Sequence, residues 1–68
     1  MADTSEIFVV TPADGDRAWL LMYEYSEGEE YFAFSDLERA QAHAAALAGE
    51  SLQWRPIDAG GFTATSER

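Results

Sequence analysis

The sequence predicts an α+β fold: an antiparallel sheet of three to five strands with one helix packed on one face, in the order β-β-β-α-β. Three observations carry this expectation. Two strand-like runs rich in aromatic residues, 17–25 and 30–35, flank a short glycine-containing loop, the pattern of a hairpin. A capping signal, Ser35-Asp36-Leu37-Glu38, opens an alanine-rich stretch that stops at Gly49, the pattern of one helix. The chain has 68 residues and no cysteine, so there is room for one hydrophobic core and no disulfide to reinforce it. A single domain over residues 1–68 follows, with flexible tails expected at 1–5 and 66–68.

Residues 7–11 (IFVVT) form the first strand-like run, and the turn residues Pro12-Ala13-Asp14-Gly15-Asp16 end it. The next two runs pair as a hairpin. With Glu27-Gly28 as its loop, Tyr25 opposes Glu30, Tyr23 opposes Phe32 and Leu21 opposes Phe34. Strand alternation then gathers Trp19, Leu21, Tyr23, Tyr25, Phe32 and Phe34 on one face. The other face receives Ala18, Leu20, Met22, Glu24, Tyr31 and Ala33.

The helix is expected to run to about Ala48, with Ser35 as N-cap and Glu38 completing a capping box. Its apolar stripe is Leu37, Ala40, Ala44, Leu47 and Ala48, with His43 on the outside. Small helix residues complement large sheet residues, which places the helix on the Trp19/Phe32 face. Residues 52–57 (LQWRPI) read as a fourth strand, held to a sheet edge by Pro56, which has no N–H to donate. Residues 62–65 (FTAT) are available as a fifth.

Charge is the second theme. The formal net charge is -9. Between positions 14 and 38 the carboxylates are Asp14, Asp16, Glu24, Glu27, Glu29, Glu30, Asp36 and Glu38, against the single base Arg17. These carboxylates are interleaved with aromatics, so the segment is a structured surface rather than a solvated tail. Direct nucleic-acid binding, which needs Lys and Arg against phosphates, is disfavoured. The start of the chain lacks the basic and apolar regions of a signal peptide, and no apolar run is long enough to span a bilayer. A cytoplasmic protein without membrane contact is expected.

No catalytic, cofactor or metal constellation emerges. His43 has no partner of triad or ligand type nearby on its helix. Asp14-Gly15-Asp16 lacks the further ligands of a calcium loop. Glu24, Glu29 and Glu30 sit at a hairpin tip with little concavity for acid–base work. The expectation is a binding protein rather than an enzyme. One helix covers one face of the sheet, which leaves Leu20, Met22 and Tyr31 either as a partner surface beside the carboxylates or covered by the last strand, the C-terminal segment or a second copy.

The acidic stretch from Asp14 to Glu38, on a small cysteine-free domain with aromatic strands, resembles the phage-encoded anti-CRISPR inhibitors that act as DNA mimics. That resemblance implies a stoichiometric inhibitor that occupies the basic, DNA-contacting surface of a Cas subunit in a host bacterial cell. On this reading Asp14, Asp16, Glu24, Glu27, Glu29 and Glu30 present the charge, and Met22 and Tyr31 form the apolar centre of the contact. The alternative is an assembly module that self-associates through the Leu20/Met22/Tyr31 face. Either a monomer or a homodimer is compatible with the sequence.

Overall fold

The computed structural model of the protein describes residues 5–13, 18–58 and 60–67. The elements are β1 (Ser5–Pro12), β2 (Trp19–Tyr25), β3 (Gly28–Phe34), α1 (Leu37–Ala48), β4 (Arg55–Pro56) and β5 (Phe62–Glu67). The strands form one antiparallel sheet in the order β3-β2-β1-β5-β4. The predicted class and element order are those observed, and the fifth strand is present.

β1 shows the alternation that a one-sided sheet requires: Glu6, Phe8 and Val10 are buried, whereas Ile7 and Val9 face the other way. It is the central strand. Phe8 pairs with Tyr23 on one side and with Ala64 on the other. Ser5, Ser66 and Glu67, which the sequence reading assigns to the tails, lie in strands. Ser5 pairs with Glu67 and Glu6 with Ser66, and Ser66 is buried, because β5 needs these residues to complete its ladder with β1.

The β2–β3 hairpin turns at Ser26-Glu27, not Glu27-Gly28. Tyr25 pairs with Gly28, Tyr23 with Glu30, Leu21 with Phe32 and Trp19 with Phe34. Two-residue hairpins usually place positive φ at their central residues, yet no described non-glycine residue has positive φ. Gly28 instead takes φ 145, which side-chain-bearing residues rarely adopt. It acts as the first residue of β3 rather than as loop. The register therefore moves by two residues, and an even shift leaves every side chain on its expected face.

The helix N-cap is Asp36, one residue later than expected: its side chain accepts from the Arg39 backbone N–H at 2.8 Å. Aspartate caps as well as serine, and its charge also favours the helix dipole. Glu38 then falls one position short of a capping box. Gly49 closes the helix at φ 74, its N–H donating to the Ala45 carbonyl, as expected.

Ala40, Ala44 and Ala48 are buried against Phe8, Val10 and Leu21, with Trp19, Phe32, Phe34, Leu37 and Leu47 around them. The alanines let the helix backbone approach, and the sheet supplies the volume. β4 is shorter than expected. Only Arg55 and Pro56 pair, with Thr63 and Phe62, and Pro56 does lie on an edge strand. Leu52 and Trp54 pack on the core from outside any ladder.

Candidate interaction surface

The helix covers one face of the sheet. β5 lies in the plane of the sheet rather than folding across it, so it does not cover the second face. On that open face Tyr31 is 56% exposed and Ile7 37% exposed, with Leu20, Met22 and Val9 half-buried beside them. The register sets Glu24 directly opposite Glu29, a like-charge pairing that a sheet does not choose for stability.

The four described hairpin carboxylates divide among three environments. Glu24 and Glu29 lie on the open face with Met22 and Tyr31. Glu30 opposes Tyr23 and so lies on the helix side. Glu27 sits in the turn, as expected, although the turn begins one residue earlier. Asp14 and Asp16 lie outside the described residues.

Tyrosines take the role that cations usually have. Tyr31 Oη donates to Glu29 Oε2 at 3.0 Å, Tyr25 Oη to Glu30 Oε2 at 3.0 Å, and Tyr23 Oη to Glu6 Oε2 at 2.6 Å. A phenol orients a carboxylate without neutralising it, so the negative charge of the hairpin is kept. Among the described residues the ion pair is Arg39 with Asp36, and none of Glu24, Glu27, Glu29 or Glu30 is in one. The Tyr25–Glu30 and Tyr23–Glu6 pairs join different strands and depend on register, whereas Tyr31 and Glu29 are two residues apart on β3, a spacing present in the sequence that sequence reasoning missed.

The phenol pKa values carry the imprint. Hydrogen bonding to Glu30, then its charge, raises Tyr25, and Glu29 acts in the same way on Tyr31. A phenol whose folded pKa is raised contributes stability fully below its unfolded pKa and loses it as pH rises through the folded value. These contacts therefore hold at neutral pH and loosen in alkali. In a phenolate titration followed by NMR, Tyr25 and Tyr31 should ionise above the ordinary 10.0. Glu29→Ala should return Tyr31 toward that value and leave Tyr25 late; an unmoved Tyr31 would sink the assignment.

His43 departs from expectation. It is half-buried, its ring 4.7 Å from Phe32 and 5.3 Å from Phe34. The aromatic face of β3 reaches beyond the alanine stripe and covers it. Among the described residues no group of three or more His, Asp or Glu could hold a metal ion, and no helix is long and apolar enough to cross a membrane. At the other end of the open face a recess of about 300 Å³ is lined by Gln53, Arg55, Thr63, Ala64 and Thr65.

The fold and surface define an acidic α+β protein with a five-stranded antiparallel sheet, helix-covered on one side and open on the other. Comparison with family models, curated proteins and solved structures finds no match to this chain.

Proposed function

We propose that the protein is a non-enzymatic inhibitor that presents the carboxylates of its β2–β3 hairpin to the basic nucleic-acid-binding surface of a defence protein of the CRISPR–Cas type. The observation that carries this reading is the unneutralised hairpin. Glu24, Glu27, Glu29 and Glu30 stand at one end of the sheet, two of them held by phenols and, among the described residues, none by a cation. Carboxylates fixed in this way are pre-organised for a cationic partner, which reduces the ordering cost of binding. Their field also speeds encounter with a basic groove. Phage origin and the DNA-mimic mode come from the resemblance in size and charge.

The test is competition. The protein, immobilised, should retain from bacterial lysate a DNA-binding protein that duplex DNA or moderate salt releases. Glu27→Lys with Glu30→Lys should weaken that capture at least tenfold while the circular dichroism spectrum stays unchanged. Retention that neither DNA nor salt competes away, or that survives the charge reversal, would falsify the reading.

A further inference from the structure

The open face is self-complementary, and we propose that a second copy of this chain docks on it, sheet face to sheet face, about a two-fold axis that runs along β1. This inference does not rest on the inhibitor reading; register and charge carry it. Across the sheet the pairings align Tyr31, Met22, Val9, Thr63 and Arg55 in one row. The adjacent row runs Glu29, Glu24, Ile7 and Thr65. The carboxylates thus lie at the β3 side of the face and the cation at the β4 side, with aliphatic side chains between.

A two-fold axis along the strands lays β3 of each copy over β4 of its mate. Val9 then meets the mate's Val9 at the centre, and Ile7 meets its own counterpart. The exposed Tyr31 ring lies over the mate's recess, whose rim is Gln53, Arg55, Thr63 and Thr65. Arg55 finds there both the Tyr31 ring face and the Glu29 carboxylate that the same phenol holds, a cation–π contact and a charge-assisted hydrogen bond together. The alternative two-fold, with its axis across the strands, lays β3 on β3 and β4 on β4, so the acidic edges of the two copies share one side and Arg55 meets no carboxylate. Charge therefore selects the first axis.

Size is compatible with this dimer. Four inter-strand spacings of about 4.8 Å by eight residues at about 3.3 Å give a face of about 500 Å², or about 1,000 Å² for the pair, at the lower bound of specific interfaces. The dimer is accordingly concentration-dependent, and the repulsion between two acidic chains is screened beyond roughly 8–10 Å at moderate salt. Both hairpin turns come to the same end of the assembly. Glu24 and Glu29 are drawn into the seam, which leaves Glu27 and Glu30 of the two copies as the carboxylates open to any other partner.

Charge exchange tests this arrangement. Sedimentation of the full chain from micromolar to millimolar concentration, at moderate salt, should show a transition to twice the chain mass. Arg55→Glu alone should weaken it at least tenfold, since Glu then faces Glu29, and Glu29→Arg alone should do the same. An equimolar mixture of the two variants should dimerise as the parent does, because both seam contacts are complementary again. Such rescue cannot come from an unfolded chain. A parent that stays monomeric throughout overturns the proposal. So does a dimer indifferent to Arg55→Glu, or a mixture that stays monomeric.

Discussion

Phe8→Ala is expected to remove a large part of the stability of the protein. Phe8 is fully buried on the central strand, stacked on Tyr23 with ring centroids 4.9 Å apart, and it belongs to the cluster that receives the helix alanines. Phenylalanine-to-alanine changes in cores cost about 3–5 kcal/mol, and a domain of this length has a total stability on the order of 3–10 kcal/mol. The neighbouring alanines of α1 have no side chain that could extend into the void. Ile7→Thr, one residue away on the open face, is the control and should shift stability by less than about 1 kcal/mol. Urea denaturation of the two variants checks both expectations. A Phe8→Ala protein with an unchanged midpoint would mean that the core is elsewhere.

Gly61→Ala is expected to be the second most damaging single change, by steric overlap rather than by a void. A Cβ at Gly61 would stand 2.2 Å from the Val10 carbonyl oxygen and 3.0 Å from the Thr11 Cα. These are backbone atoms of the central strand, so relief requires β1 and the start of β5 to separate. Such overpacking costs about 3 kcal/mol. Gly60 differs: it has φ 81 and only an ordinary contact, Pro12 Cγ at 3.7 Å, so Gly60→Ala should cost about 1–2 kcal/mol in backbone strain alone. Thermal melts of the pair should rank Gly61→Ala below Gly60→Ala, and the reverse ranking would refute the close approach.

The two glycines also show where sequence reasoning stops. Asp58-Ala59-Gly60-Gly61 reads as a turn, and the Gly60 N–H, donating to the Ile57 carbonyl at 3.2 Å, closes one. Nothing local reveals that Gly61 lies against β1, because that contact depends on which strand β5 joins. The faces of the hairpin were legible although its loop was misplaced, since alternation has period two and the error was even. The helix was legible from its alanines and Gly49. Its N-cap was not, because Ser35 and Asp36 are equivalent candidates until one side chain reaches the N3 amide. His43 was misplaced for a related reason: a helical wheel describes one element and not the reach of Phe32 and Phe34 beside it. Of the site residues, Met22, Glu24 and Tyr31 fell on one face as alternation requires. The cross-strand phenol–carboxylate pairs and the opposite placement of Arg55 emerged only with the register.

The position of β1 has a consequence for how the molecule is made. Its second neighbour is β5, and the Thr63 hydroxyl that bonds the Phe8 carbonyl is 55 residues away in the chain. During synthesis the hairpin can form early and β1 can join it, but one side of β1 then remains an unpaired edge. Closing so long a loop is slow compared with local pairing, and unpaired edges are the surfaces through which nascent chains associate wrongly. That edge can be covered only once β5 has left the ribosome, so the pairing of β5 with β1 is the step that removes it.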